Sequence, residues 1–311
     1  ARALSVLEDA VCAPAFRAAT FRQERDTQVA SLQQDADDVV TLARKRLRER
    51  FFGSHPLAYD AQGHEAAVRD LTTDDLVALH RKLCVGPNVV LAVAGDFDPR
   101  KQRPKLSALL AKIPRGQAPA HAAVFSGPAE VGDFVEPQPR EQAVVGQAFP
   151  GTRVNAADFF VGEVADELFS GMASRLFERV REEKGLAYFV RSGRVVGLDA
   201  GMFYFFAGTQ PGREAEVLAE IDAEIARVQG GGVEPAELAR CQARLKAARR
   251  QGMQTNGSRA MQAALNVLQG LPVNDWKHHD ARIDAVTIGD LARFAQEHFR
   301  RDARTQLVVR P

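Results

Sequence analysis

The sequence contains little cysteine. Cys12, Cys84 and Cys241 are odd in number and far apart. They form neither a metal-binding spacing nor a disulfide framework, so they leave the redox compartment undecided. An excess of one charge is lacking too, because 41 basic residues face 40 acidic ones and leave a formal charge of +1. No global electrostatic field therefore draws the chain to nucleic acid or to a membrane surface.

Long apolar runs and nucleotide-binding motifs are also missing. No stretch is long or apolar enough to span a bilayer, and no secretory signal is visible. Neither a G-x-x-x-x-G-K run nor a G-x-G-x-x-G run occurs, which argues against nucleotide binding. The peptidase motif H-x-x-E-H is absent as well, because none of the seven histidines has a second histidine four residues away. We interpret the adjacent pair His278-His279 as solvated.

One stretch, residues 171–190, stands out from an otherwise ordinary globular composition. Its apolar spacing, with Leu176 and Val180 four residues apart, predicts a helix. Gly171 is expected to separate this helix from the one before it. Gly185 is expected to cap its end in the left-handed conformation, and a strand is predicted from Leu186 onward. The sequence thus predicts a sharp corner from helix to strand.

Arg181 and Tyr188 lie on the two sides of this corner. A guanidinium and a phenol brought together are hydrogen-bond donors of fixed direction. Such a pair can hold a peptide carbonyl, or the oxyanion that forms when the carbonyl is attacked. The residues alone favour a simpler interpretation, in which Arg181 is a solvated helix-end cation and Tyr188 is a half-buried strand aromatic.

A family resemblance changes this balance. The run Ser-Arg-Leu-Phe-x-x-Val-Arg-Glu-x-x-Gly-Leu-Ala-Tyr, residues 174–188, resembles the second-domain signature of the pitrilysin family. That family includes insulin-degrading enzyme and the mitochondrial processing peptidases. The resemblance implies that Arg181 and Tyr188 bind substrate backbone opposite a zinc site built in the first domain. It also implies a third zinc ligand on the helix predicted over 24–34, where this chain has Ser31.

Ser31 and the absent H-x-x-E-H motif both predict that this chain has no metal site and no catalytic residue of its own. A serine hydroxyl is a poor neutral ligand where a carboxylate is required. The resemblance therefore implies that zinc is carried by a partner, or by a segment upstream of Ala1, which is not an initiator methionine.

An internal repeat predicts two related units. Val68-x-x-Leu71-Thr72-x-x-Asp75-Leu76 reappears as Ile283-x-x-Val286-Thr287-x-x-Asp290-Leu291, and each copy precedes a final apolar strand. In the first copy that strand is predicted over 89–94. The predicted fold class is α+β, each unit having a mixed, mostly antiparallel sheet with helices on one face.

The domain boundaries follow from this repeat. The first peptidase-family domain is predicted over 1–113 and is expected to be truncated at its N-terminus. Residues 114–123, rich in Pro, Ala and Gly, are predicted as a linker. The second domain, which carries the Arg/Tyr motif, is predicted over 124–311.

Three functions remain open at this point. The first is a zinc-free component of a pitrilysin-type metallopeptidase, which binds a peptide or an unfolded polypeptide. It would pair with a zinc-bearing homologous subunit or with a second copy of itself. The second is a non-catalytic scaffold subunit. The third is an active zinc protease whose motif lies in the segment upstream of Ala1. None of the three predicts binding to nucleic acid.

Overall fold

The computed structural model describes residues 2–120, 124–139, 141–171 and 174–311. The chain divides into two compact units, each assembled from three segments. The first unit comprises residues 1–33, 62–122 and 253–274, and the second comprises residues 34–61, 123–252 and 275–311.

A five-stranded mixed sheet forms the centre of the second unit. Its strands are β1 (Gly132–Pro137), β2 (Ala143–Pro150), β3 (Ala187–Val196), β4 (Gly201–Thr209) and β5 (Thr305–Arg310). The strand order is β1-β5-β2-β4-β3. β1 and β5 are parallel and the other pairs are antiparallel. The predicted α+β class with a mostly antiparallel sheet is confirmed for this unit, whereas the described residues of the first unit contain none of the strands of the sheet predicted there. The short strand β1, whose sequence carries Asp133 and Glu136, was not predicted.

Helices cover one face of this sheet and enclose the larger core. They are α7 (Phe159–Phe169), α8 (Glu214–Gln229), α9 (Pro235–Gly252), α11 (His279–Asp284) and α12 (Ile288–His298). Phe203 and Phe205 of β4 are fully buried against them, together with Phe169 and Phe294. Since successive strand residues point to opposite faces, Phe206 lies on the other side of the sheet.

One earlier helix covers that other face. Helix α3 (Val39–Phe52) packs on β2 and β5. Its Leu47 and Phe51 are fully buried in a second cluster with Phe206 and Leu307. Helices therefore lie on both faces of the sheet, and the prediction of one covered face was wrong. The segment 34–61, predicted within the first domain, belongs to the second compact unit, because the apolar side of α3 is buried by this sheet.

The first unit is mainly helical. Its helices are α1 (Arg2–Cys12), α2 (Ala18–Asp37, whose last residues enter the second unit), α4 (Glu65–Asp70), α5 (Thr73–Leu83), α6 (Pro99–Leu110) and α10 (Asn256–Leu268). Val29, Leu32 and Val68 form a small buried cluster. The strand predicted over 89–94 was wrong, because these residues are half-exposed and form no strand. Within the described part of this unit they meet no partner strand to supply ladder hydrogen bonds.

The two copies of the repeat begin their helices in the same way. In α5, the Thr72 hydroxyl accepts from Asp75 N, and the Asp75 carboxylate accepts from Thr72 N. In α12, Thr287 and Asp290 form the same reciprocal capping box. The shared sequence pattern therefore corresponds to a shared local structure. None of the described helices has the length and apolar character needed to cross a membrane.

Candidate functional site

The corner predicted over 171–190 is present in the second unit. Helix α7 ends at Phe169, and Gly171 has a φ of 96°; Met172 and Ala173 lie outside the described residues. The second helix, Phe177–Glu183, is a π-helix rather than an α-helix. Gly185 has a φ of 57°, which confirms the predicted left-handed cap. A π-helical turn is a rare feature that is frequently found at functional sites.

Backbone hydrogen bonds fix the turn itself. Gly185 N donates to Arg181 O over 3.1 Å, and Leu186 N donates to Val180 O over 2.9 Å. Val180 is fully buried while Arg181 is exposed. The corner is thus anchored on its inner side, and its outer side faces solvent.

The Arg181 side chain lies on that outer side and is 46% exposed. Its guanidinium lies over the Phe177 ring, 4.8 Å from the ring centroid. Its Nε is 3.8 Å from Glu182 Oε1. Stacking on an aromatic face orients a guanidinium without using its outward N–H donors. Arg181 can therefore present donors to a ligand.

Tyr188 lies at a β-bulge in the edge strand β3. Ala187 pairs with Thr209 and Phe189 pairs with Gly208, so Tyr188 is the extra residue between them. Its residue exposure is 51%. The phenol is therefore exposed beside the edge of β3 that pairs with no other strand in the described part of the chain. The structure places Arg181 and Tyr188 on the two sides of one tight corner, both exposed.

A buried arginine supports the corner from behind. Arg175 Nε donates to Glu237 Oε1 over 2.7 Å, and Arg175 Nη2 donates to Gly232 O over 2.8 Å. Glu224 Oε2 lies 3.5 Å from Arg175 Nη1. Burial disfavours the charged guanidinium, but the hydrogen bond to Glu237 and the acidic charges outweigh it and raise the pKa of Arg175. Sequence reasoning missed this network, because its acids lie 49 and 62 residues away from Arg175.

Strand β4 and helix α8 hold the outer part of the corner. The Thr209 hydroxyl donates to Leu186 O over 2.5 Å, and Arg213 Nη1 donates to Gly185 O over 3.3 Å. Lys184 forms an ion pair with Glu220. The carbonyls of Gly185 and Leu186, just beyond the π-helix, are therefore satisfied by side chains.

Two places in the described residues bear on a zinc site. Ser31 lies in α2, as predicted, and carries a hydroxyl at the position where the resemblance implies a carboxylate ligand. Among described side chains, one group of three ligand types converges within 4.8 Å: Asp158, Glu297 and His298. Arg293 already donates to both oxygens of Asp158 over 2.9 Å. The Arg293 hydrogen bonds lower the pKa of Asp158. The positive charge that faces this carboxylate is therefore the Arg293 guanidinium.

One histidine lies where the sequence did not predict it. His279 is buried, and its Nε2 is 3.2 Å from Glu163 Oε1. The interpretation of the pair His278-His279 as solvated was therefore wrong for His279. The spacing could have predicted this burial, because His279 lies four residues before Ile283 in a short helix and both are buried.

Comparisons with known proteins were consistent with one another. A sequence model described as the peptidase M16 inactive domain matches residues 70–245. An uncharacterized zinc protease of Mycobacterium leprae is 25% identical over 283 residues, which cover 88% of this chain and 62% of that protein. The chain thus spans about three fifths of that relative's length.

Solved structures share the fold. A peptidase M16 inactive domain from Pseudomonas fluorescens superposes with a TM-score of 0.89 at 22% identity, covering 99% of this chain and 74% of that one. A chain of complex III2 from Candida albicans superposes with a TM-score of 0.75 at 18% identity, covering 93% of this chain and 70% of that one.

Proposed function

Because the chain belongs to the peptidase M16 family, we propose that it is a zinc-free peptidase component that holds an extended peptide for cleavage by a zinc-bearing partner. The partner is expected to be a zinc-bearing homologous subunit, or a second copy of the same chain. The expected ligand is a peptide or an unfolded polypeptide. In this proposal the chain contributes binding and carbonyl polarisation, and it has no catalytic residue of its own.

The proposal is carried by the joint exposure of Arg181 and Tyr188 at the corner. A guanidinium and a phenol both donate to oxygen, and in this proposal neither serves as the nucleophile. Donors that point at a carbonyl stabilise the charge that develops when it is attacked. In this role Arg181 and Tyr188 bind and polarise the peptide carbonyl.

The edge strand β3 supports the choice of an extended ligand. In the described sheet β3 pairs with β4 on one side and leaves its other edge unpaired. An extended chain can add to such an edge through main-chain hydrogen bonds. Tyr188 lies near the start of this strand, so a peptide paired there would bring a carbonyl within reach of the corner.

Zinc enters the proposal only outside the residues described. Both carboxylate oxygens of Asp158 accept from Arg293, His298 Nδ1 donates to Pro150 O, and Ser31 is a poor ligand. We therefore assign no step of hydrolysis to a metal bound by these residues. Zinc is expected in the partner or in a segment that this sequence does not include.

The test combines the purified chain with a zinc-bearing homologue from the same genome and a fluorogenic peptide. We expect Arg181→Ala and Tyr188→Phe each to lower kcat/KM by about 10²-fold, the typical loss when one donor to an oxyanion is removed. The matched controls are Arg179→Ala, from an arginine that is 43% exposed on the same helix, and Tyr59→Phe, from a tyrosine that is 54% exposed. Unchanged kcat/KM in both Arg181→Ala and Tyr188→Phe would contradict the proposal.

A non-catalytic scaffold is the second candidate. It is favoured by the likeness to a chain of complex III2. It predicts that the Arg181 and Tyr188 variants assemble with their partners and function like the unmodified chain. A third candidate, an active protease with its own zinc motif, is favoured by the greater length of the Mycobacterium leprae relative. Stoichiometric zinc in the purified full-length gene product would support it.

A further inference from the structure

We propose that Thr209 is a positioning residue that holds the β-bulge and thereby turns Tyr188 outward. The effect of this residue on peptide cleavage rests on the proposed function. Its effect on the position of Tyr188 does not. Three features of β3 and β4 carry the inference: the register, the hydroxyl contact of Thr209, and the packing on Gly208.

The register shows what the bulge achieves. Ala187 and Val190 are both buried in the cluster on the helix-covered face, although a regular strand would point residues three apart to opposite faces. The extra residue between Ala187 and Phe189 shifts the register, so that Ala187 and Val190 face the same side of the sheet. Without the bulge, a slip of one residue would exchange the faces, and Tyr188 would replace Ala187 against the core.

Thr209 fixes the strand before the bulge. It is fully buried, it pairs with Ala187, and its hydroxyl donates to Leu186 O over 2.5 Å. Leu186 is buried just beyond the π-helix, and a buried backbone carbonyl needs a hydrogen-bond donor. A single buried hydroxyl therefore determines where the strand begins. Arg213, which donates to Gly185 O, supports the same segment from the solvent side.

Gly208 fixes the strand after the bulge. The Phe189 ring lies against Gly208, and a Cβ at that position would be 2.4 Å from the ring. This packing requires glycine, because no side chain fits under the ring. The bulge is thus held on both sides by adjacent residues of β4. Because the residues on both sides of Tyr188 are held in place, the Tyr188 side chain is directed outward.

The first test reports on the position of Tyr188 without any protease assay. The chain has three tyrosines, so incorporation of 3-fluorotyrosine should give three ¹⁹F resonances, of which Tyr188→Phe identifies one. We expect Thr209→Val to shift the Tyr188 resonance and to reduce its broadening by a soluble paramagnetic probe at least twofold. Thr209→Ser, which keeps the hydroxyl, should restore both. If the Thr209→Val variant does not fold, Thr209→Ala, which also removes the hydroxyl, takes its place in the same measurement.

The matched control is Thr305→Val. Thr305 is also a fully buried strand threonine whose hydroxyl donates to a backbone carbonyl, that of Glu130. Its loss should lower stability comparably and leave the Tyr188 resonance in place. An unchanged Tyr188 resonance in folded Thr209→Val and Thr209→Ala, or an equal change in Thr305→Val, would overturn the inference.

The second test separates this inference from the proposed function. In the assembled peptidase, Thr209→Val should lower kcat about tenfold or more, since a misplacement of about 1 Å can cost up to 10²-fold, with a smaller change in KM and with rescue by Thr209→Ser. If Thr209→Val displaces Tyr188 while Tyr188→Phe leaves cleavage unchanged, the positioning role is supported and the proposed function fails. If Tyr188→Phe impairs cleavage and Thr209→Val does not, the positioning role fails.

Discussion

Arg175 and Arg181 lie six residues apart in one run of sequence, yet their surroundings give them different roles. The Arg175 side chain is 8% exposed and its charge is met by Glu237 and Glu224. The Arg181 side chain is 46% exposed and rests on an aromatic ring. Burial, rather than residue type, separates the arginine that stabilises the corner from the one that can bind a ligand.

This difference can be measured by unfolding. We expect Arg175→Ala to lower the free energy of unfolding by about 3 kcal/mol or more, because it removes the buried cation that Glu224 and Glu237 share. Arg181→Ala should change that free energy by roughly 0.5 kcal/mol or less, as is usual for an exposed side chain. Urea denaturation of both variants at pH 7 checks the contrast. Equal losses would contradict the assignment of separate roles.

At the scale of elements, local sequence patterns predicted what local contacts decide. The family resemblance found in residues 174–188 is confirmed, as are the Gly185 cap and the strand predicted from Leu186 onward. The assignment of substrate binding to Arg181 and Tyr188 stays a prediction. Each confirmed element depends on near neighbours in sequence: an apolar spacing, a glycine at a helix end, or a buried run.

The elements that were predicted wrongly, or not predicted, depend instead on contacts between distant parts of the chain. The strand β1 and the missing strand at 89–94 both depend on pairing with segments far away in sequence. β1 forms because β5, about 170 residues later, pairs with it in parallel. Residues 89–94 have the apolar run of a strand but no strand partner among the described residues. Pairing between distant segments is the information that a single sequence does not display.

The capping box of α12 allows a prediction at this scale. The hydrogen bonds from Thr287 lower the pKa of Asp290, so their stabilisation is fully present above the ordinary pKa of Asp, about 4. It is lost as the pH falls through the lowered value. We expect Thr287→Ala to destabilise by about 1 kcal/mol at pH 7 and by less near pH 3. Thr287→Ser should behave like the unmodified chain in thermal unfolding at both pH values.

At the scale of the whole molecule, the two units differ in the size of their cores. The second unit buries both faces of a five-stranded sheet. In the first unit the clustered core consists of Val29, Leu32 and Val68. The predicted linker at 114–123 ends beside a boundary between the units at 122 and 123. The predicted extents of the family domains stay a prediction, because compact packing and family ancestry need not divide a chain alike.

The position of α3 gives a prediction for a divided chain. Residues 124–311 expressed alone should aggregate, because Phe206 and Leu307 would lose the cover of Leu47 and Phe51 and expose an apolar sheet face. A separate peptide covering 34–61 should restore solubility, as judged by size-exclusion chromatography. The same peptide with Leu47→Asp should not. A monomeric, soluble 124–311 fragment without any peptide would contradict this.

Helix α3 also limits how such a chain can recombine. A crossover at the linker between two relatives would join one parent's sheet to the other parent's covering helix, so both surfaces would have to change together. Homologous exchange should therefore be tolerated when 34–61 and 124–311 are inherited from the same parent. Chimeras that separate the two are expected to misfold even where each half comes from a stable protein.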